Sequence, residues 1–133
     1  MLIDKFLFTV KKGLLYDERD IWIQSENEAL RIGVTDYFQR TNGDVTFIEL
    51  PHPGTLVTRS DELLQIETIK AVSSIHSPIE GTIVEVNAML TETPEMINED
   101  PYGKGWLALI TPSNREADLK RLITAQSYFE LIQ

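Results

Sequence analysis

The fold of this chain is decided by two short stretches, Pro51-His52-Pro53-Gly54-Thr55-Leu56-Val57 and Pro78-Ile79-Glu80-Gly81-Thr82-Ile83-Val84. Both read Pro-x-x-Gly-Thr-(Leu/Ile)-Val, and the second begins 27 residues after the first. Proline and glycine favour turns, and the β-branched residues that follow favour strands. The duplication therefore predicts two similar half-sheets, in which Gly54 and Gly81 hold equivalent turns.

Lys70 lies between the two copies, in the stretch Glu67-Thr68-Ile69-Lys70-Ala71-Val72. The repeat predicts a hairpin that joins the two halves, with Lys70 at its tip. A lysine between β-branched residues is most often an ordinary solvent-facing strand residue. Its place near the midpoint of the repeat is what favours a further role, because an amine displayed on a hairpin tip is suited to hold a covalently attached cofactor.

The rest of the chain reads as short strands separated by turns. Segments rich in apolar and β-branched residues recur over 29–34, 45–50, 63–69, 72–75, 81–86 and 106–110. Short helices are predicted after Thr35, after Thr93 and after a capping box that begins at Ser113. We expect a mostly-β flattened barrel or sandwich with short peripheral and C-terminal helices. It would form one domain over 1–133, with a lead over 1–15, a β core over 16–112 and C-terminal helices over 113–133.

Composition excludes several classes of function. The chain has 133 residues, no cysteine and a net charge of −9. Disulfides, thiolate metal sites and cysteine nucleophiles are therefore excluded, and the charge argues against nucleic acid and membranes as partners. His52 and His76 lack the spacing of a metal site, and no pattern indicates a catalytic residue. We expect a non-enzymatic monomer without a bound metal. The apolar runs are too short for a signal or a membrane span, so the cytoplasm is the default location.

Five segments, in their order along the chain, resemble a known family. They are Ile32–Asp36, Phe47–Gly54, Glu67–Ser73, Ser77–Asn87 and Asn98–Leu107. In these segments the chain is similar to the glycine cleavage H-protein family of lipoyl carriers. The resemblance implies the biotinyl/lipoyl "hammerhead" fold of two quasi-equivalent halves. It also implies that lipoate is joined to Lys70 through an amide.

The same resemblance suggests how Lys70 would be recognised. Biotin carriers usually flank their lysine with methionine, whereas Ile69 and Ala71 stand here, which favours lipoate. A lipoate ligase or lipoyltransferase would attach the cofactor. The hairpin residues that this enzyme is expected to recognise are Glu67, Thr68, Ile69, Ala71 and Val72.

Three departures from the family pattern concern a groove beside the arm. The family's His-Glu-Trp reads Asp20-Ile21-Trp22 here, and its aspartate four residues after the lysine is Ser74. Its Thr-Asp-x-Ala-Gln becomes Thr35-Asp36-Tyr37-Phe38-Gln39. In the family, the glutamate and the aspartate help to hold an aminomethyl-loaded, cationic arm. The groove candidates are therefore Ile21, Tyr37, Phe38 and Ser74, and we expect an apolar groove that suits a cation poorly.

This expectation leaves three functions open. The missing carboxylates favour an H-like lipoate-binding protein of heterodisulfide-reductase-like sulfur oxidation. The alternative is a glycine cleavage H protein, which carries the aminomethyl group between the decarboxylase, the aminomethyltransferase and dihydrolipoamide dehydrogenase. The third is an unmodified structural or regulatory relative, in which Lys70 stays bare.

Overall fold

Alternating inward and outward side chains organise the chain into two antiparallel sheets. The computed structural model describes residues 8–133. Its strands are β1 (Leu15–Asp17), β2 (Ile21–Glu26), β3 (Ala29–Val34), β4 (Val45–Glu49), β5 (Leu56–Val57), β6 (Glu62–Thr68), β7 (Val72–His76), β8 (Gly81–Val86), β9 (Ala108–Pro112) and β10 (Ile123–Thr124). Its α-helices are α1 (Asp36–Asn42), α2 (Met96–Glu99), α3 (Arg115–Arg121) and α4 (Ala125–Leu131), and a 3₁₀ turn spans Ala88–Thr91.

The two sheets enclose the main core. One sheet has seven strands in the order β10-β1-β2-β3-β9-β8-β5, and the other has three in the order β4-β6-β7. Isoleucine, leucine and valine side chains from both sheets meet in a single cluster between them. The prediction of a mostly-β flattened sandwich with a few short helices is confirmed. Of the expected N-terminal lead, residues 1–7 lie outside the described part of the chain.

The seven-stranded sheet buries side chains on both faces. Ile21 and Ile23 of β2 point into the core between the sheets, whereas Trp22 points to the opposite face. There Trp22 shares a smaller cluster with Tyr16 and Tyr128, whose rings stack with centroids 4.7 Å apart. Because Tyr128 belongs to α4, this second cluster fixes the C-terminal helix against the sheet.

The two copies of the repeat lie side by side. β5 pairs with β8 in antiparallel register, and Val57 lies opposite Gly81. Glycine is nevertheless required for a different reason at each position, so the expectation that Gly54 and Gly81 hold equivalent turns is wrong. Gly54 has a φ of +92°, a conformation that favours glycine. Gly81 shows no such φ; a Cβ added there would lie only 2.1 Å from the carbonyl oxygen of Thr111.

The helices follow the sequence prediction less closely than the strands do. Thr35 caps α1 as expected, with its hydroxyl accepting from the Phe38 N–H. The predicted capping box at Ser113 is wrong, because Asn114 caps α3 through its side chain. The C-terminal segment also contains β10, a two-residue strand that pairs with β1. No helix within residues 8–133 is both long and apolar enough to cross a membrane.

Candidate functional site

Lys70 stands on the turn that joins β6 and β7. The Thr68 N–H donates to the Ala71 carbonyl oxygen at 2.9 Å, which closes a turn with Ile69 and Lys70 at its centre. The Thr68 hydroxyl accepts from the backbone N–H groups of Lys70 and Ala71, at 3.2 and 3.3 Å. The Ile69 N–H donates to the Asp44 carbonyl oxygen at 3.1 Å. These bonds tie the tip to its own hairpin and to the segment after α1, so Lys70 projects from a fixed base.

The amine of Lys70 is exposed and has a defined direction. Its Nζ donates a hydrogen bond of 2.7 Å to the carbonyl oxygen of Thr41, in the last turn of α1. The end of a helix presents unsatisfied carbonyls and a partial negative charge, which attract an ammonium group. An amide at Nζ would keep one N–H and could make the same bond. The side chain is thus aimed along the end of α1, where Asn42 follows.

The other hairpin residues divide into an exposed set and one buried residue. Glu67, Ile69, Ala71 and Val72 are exposed, and Ile69 and Val72 are unusually open for apolar side chains. Thr68 is buried and closes the turn, so it shapes the hairpin from within. Across the sheet, Phe47 pairs with Glu67, which in turn pairs with Val72. An enzyme that acts on Lys70 would therefore meet an apolar surface with a carboxylate at its centre.

A groove of about 460 Å³ begins beside the arm and is called the arm groove below. It is lined by Arg19, Asp20, Phe38, Asn42, Ser73, Ser74, Ile75 and His76. Two of the four groove candidates, Phe38 and Ser74, line it. Ile21 is 1% exposed and belongs to the core, and the Tyr37 ring packs edge-on against Phe8 instead. The expectation that Ile21 and Tyr37 line the groove is therefore wrong.

Asp20 is a carboxylate that was not among the four groove candidates. It directly precedes β2, has a φ of +70° and lines the arm groove. The Tyr128 hydroxyl donates to its Oδ1 at 2.8 Å, and the same hydroxyl lies 2.7 Å from the Thr35 hydroxyl. A chain of hydrogen bonds thus connects the groove carboxylate to α4 and to the cap of α1. No spacing in the sequence joins residues 20 and 128, so only the fold reveals this network.

Burial makes Asp20 an unusual carboxylate. Desolvation raises its pKa, an effect that the Tyr128 hydrogen bond opposes and the nearby charge of Asp17 reinforces. A raised pKa means that the charged form lacks part of the solvation it would have in water. A cation brought into the groove would restore that stabilisation. The arrangement therefore suits a positively charged group.

A second carboxylate reaches the groove through Ser74. The Ser74 hydroxyl donates to Glu62 Oε1 at 2.8 Å, and Glu62 lies opposite His76 in the β6–β7 pairing. Position 74 itself has no carboxylate, but its hydroxyl contacts the carboxylate of Glu62 on the neighbouring strand. The groove thus combines the apolar side chains of Phe38 and Ile75 with the charged side chains of Arg19 and Asp20, and Glu62 lies at its edge.

Comparisons with known proteins give one consistent result. A family model described as "Glycine cleavage H-protein" matches residues 14–133. The chain is 41% identical over 127 residues to a "Probable glycine cleavage system H protein" of Pyrococcus furiosus, covering 95% of this chain and 94% of the relative. It is 41% identical over 121 residues to a "Glycine cleavage system H protein" of Geobacillus kaustophilus, covering 91% and 94%.

A solved structure has the same fold. The crystal structure of a glycine cleavage system H protein from Mycobacterium marinum superposes with a TM-score of 0.82 at 30% identity, covering 91% of this chain and 97% of that one. The fold that the resemblance implied is therefore confirmed.

Proposed function

Because this chain belongs to the glycine cleavage H-protein family, we propose that it is the lipoyl carrier of a glycine cleavage system, with lipoate attached to Lys70. Members of this family are non-catalytic lipoyl carriers, so the chain is a carrier and not an enzyme. Its partners would be the decarboxylase, the aminomethyltransferase and dihydrolipoamide dehydrogenase. One observation supports the cargo most directly: an exposed amine stands beside a groove that contains the carboxylate of Asp20.

The residues around Lys70 fit a flexible attached arm. The amine is exposed, its base is fixed by the turn, and the groove begins at Asn42, next to the carbonyl that the amine contacts. Lipoate, when attached, supplies a dithiolane on a long flexible chain. Phe38 and Ile75 would contact the apolar part of that chain. Asp20 would face a cationic amine held at its end, where the attraction is strengthened by partial exclusion of water.

This proposal replaces the preference for sulfur oxidation. That preference depended on the absence of carboxylates from the groove, and the comparisons give it no support. Asp20 and Glu62 supply the negative charge that positions 21 and 74 lack. The relatives named above are all described as glycine cleavage proteins, which favours the alternative.

We further propose that the enzyme which attaches lipoate recognises the exposed hairpin surface. Glu67, Ile69, Ala71 and Val72 surround Lys70 without covering it. Apolar contact with Ile69 and Val72 would contribute binding energy. The carboxylate of Glu67 would fix the orientation of the hairpin in the enzyme. Thr68 would act indirectly, by holding the turn closed.

The attachment site can be tested by mass spectrometry. The chain would be produced with a lipoate ligase and lipoate, and its intact mass and peptide map measured. We expect one lipoyl group, on Lys70. Lys70→Arg should abolish modification while retaining the fold, because the arginine is exposed and can still contact the Thr41 carbonyl. Lys104→Arg, at another exposed lysine, should be modified normally. Lipoate on Lys70→Arg would overturn the assignment.

The pathway can be tested separately. The lipoylated protein would be mixed with glycine and glycine decarboxylase alone, and the release of carbon dioxide measured. We expect a rate comparable with that of an authentic H protein. A rate near that of the unmodified Lys70→Arg variant would refute the glycine cleavage assignment while leaving lipoylation intact.

A further inference from the structure

A second groove adjoins the arm groove and is rich in arginine. It has a volume of about 430 Å³ and is lined by Asp17, Glu18, Arg19, Arg59, Ser60 and Arg121. Arg19 lines the arm groove as well, so the two grooves share a wall. The whole chain has only 12 lysine and arginine residues and a net charge of −9. Three guanidinium groups in one groove are therefore unusual for this surface, and we call this groove the arginine groove.

The three arginines are not equally engaged. Arg121 forms an ion pair of 2.6 Å with the buried Asp118, and Arg19 lies 3.4 Å from Asp17. Arg59 is exposed, and among residues 8–133 no carboxylate lies within ion-pair distance of it. A full set of guanidinium donors is thus available at Arg59. Those of Arg19 and Arg121 are partly available, since both side chains remain about half exposed.

The backbone beneath Arg59 is fixed. The Thr58 N–H donates to Asp61 Oδ2 at 2.8 Å, and the Asp61 N–H donates to the Thr58 carbonyl at 3.1 Å, which closes a turn around Arg59. Ser60, at a φ of +80°, donates its N–H to the Ser77 carbonyl oxygen at 2.8 Å. Asp61 is therefore engaged in the turn. Arg59 is thus an exposed residue of the groove lining that stands on a fixed backbone.

We propose that the arginine groove binds an acidic surface segment of the enzyme that draws the loaded arm out of the arm groove. This inference rests on the proposed function, under which that enzyme is the aminomethyltransferase. Guanidinium groups bind carboxylates through paired hydrogen bonds, and an open groove admits a surface segment of another protein. Asp17 and Glu18 dilute the positive charge, which disfavours a free, multiply charged phosphate ligand.

The position of the groove gives it a role in orientation. On the hairpin side of the arm groove the exposed surface is acidic, with Glu49, Glu62 and Glu67. On the other side, the arginine groove presents three arginines beside Asp17 and Glu18, so its lining has three positive and two negative side chains. A partner with the complementary arrangement would dock in one direction only, because the reverse orientation would bring like charges together. The shared wall at Arg19 would then place the docked segment directly beside the arm.

The experiment compares two charge reversals on the lipoylated protein. Arg59→Glu removes the free guanidinium, whereas Lys104→Glu makes the same change in net charge at an exposed loop outside both grooves. We expect Arg59→Glu to raise the KM for the aminomethyltransferase roughly five- to tenfold with an unchanged kcat. Lys104→Glu should change it less than twofold, and both variants should keep the wild-type melting temperature and decarboxylase KM.

Failure of this inference differs from failure of the proposed function. Wild-type protein that does not support decarboxylation would refute the function. Wild-type protein that is active, with Arg59→Glu and Lys104→Glu indistinguishable towards the aminomethyltransferase, would refute the arginine groove as its docking site. An effect of Arg59→Glu on the decarboxylase alone would refute the assigned partner.

The absence of cysteine permits a direct second test. Arg59→Cys and Lys104→Cys can each be labelled with a photoreactive maleimide and irradiated with the aminomethyltransferase. Label at position 59 should crosslink to a segment rich in aspartate and glutamate, in higher yield than label at position 104. Equal yields, or a crosslink to a basic segment, would overturn the proposal.

Discussion

Replacing Asp20 with asparagine tests the role of the arm groove most directly. Asparagine tolerates the positive φ at this position and can still accept the hydrogen bond from Tyr128. The substitution therefore removes the charge and leaves the shape. If Asp20 faces the amine of the loaded arm, the arm should leave the groove more often in Asp20→Asn.

The size of the effect follows from the position of the carboxylate. Opposite unit charges about 4 Å apart attract by about 1 kcal/mol in water and about 4 kcal/mol at an effective dielectric of about 20. Asp20 is half-buried in an open groove, so about 2 kcal/mol is a reasonable intermediate value. That energy corresponds to a change of roughly thirtyfold in the ratio of bound to free arm. With about fifteen bound arms for each free arm in the wild type, the free fraction should rise from about 6% to about 67%, so exposure of the cargo to water should rise roughly tenfold.

The assay measures spontaneous loss of the cargo from purified, loaded protein without partner enzymes. Water cleaves the S–CH2–NH3+ unit to a thiol, formaldehyde and ammonium, so formaldehyde release reports exposure. We expect roughly tenfold faster release from Asp20→Asn at pH 7. Glu18→Gln makes the same charge change in the arginine groove and should match the wild type. Rates for Asp20→Asn within twofold of the wild type, or an equal effect of Glu18→Gln, would refute the reasoning.

The effect of Asp20→Asn on cargo loss should depend on pH in a definite direction. Burial raises the pKa of Asp20 above the ordinary aspartate value of about 3.9, so the groove should lose its charge at a higher pH than a solvated aspartate would. The ratio of the variant rate to the wild-type rate should therefore approach one as the pH falls through that raised value. The folded state binds this proton more tightly than the unfolded state, so Asp20→Asn should add stability at neutral pH and none at low pH. Urea denaturation at several pH values would measure this.

Two further predictions concern the supports of the site. Tyr128→Phe should cost about 1 kcal/mol of stability and raise the pKa of Asp20 further, as followed by NMR titration, because the lost hydrogen bond lowers that pKa. Tyr16→Phe, in the ring stacked on Tyr128, should leave that pKa unchanged; a shift there would contradict the assignment. Gly81→Ala should cost roughly 3 kcal/mol, because its Cβ would meet a backbone carbonyl of β9. Gly54→Ala should cost only about 1 kcal/mol for its positive φ. Equal melting temperatures for the two alanine variants would refute this difference.

Strands and helix caps could be predicted from the sequence where the residues that determine them are close together along the chain. The strands that approach and leave Lys70 could be predicted because β-branched residues flank it. The cap at Thr35 could be predicted because its partner lies three residues away. The strand β10 could not be predicted, because two residues are too few to show the alternation of a strand. This strand forms through its pairing with β1. Asn114 displaced Ser113 as a cap because both residues can fill that role and tertiary packing sets the helix start.

The arm groove shows that a sequence position alone does not predict which residue lines a groove, because the direction of each side chain also matters. Position 21 begins β2, where alternation turns the Ile21 side chain into the core between the sheets, among buried isoleucine and valine side chains. Position 20 lies just outside the strand, and its positive φ turns the side chain away from that alternation and into the groove. A comparison of residue types at position 21 indicates that the carboxylate is absent, whereas the fold places the carboxylate of Asp20 in the groove. The charge of the groove is thus a property of the turn before β2, which aspartate tolerates better than most residues do. A relative with an apolar residue at this strand position should therefore be judged by the residue before it.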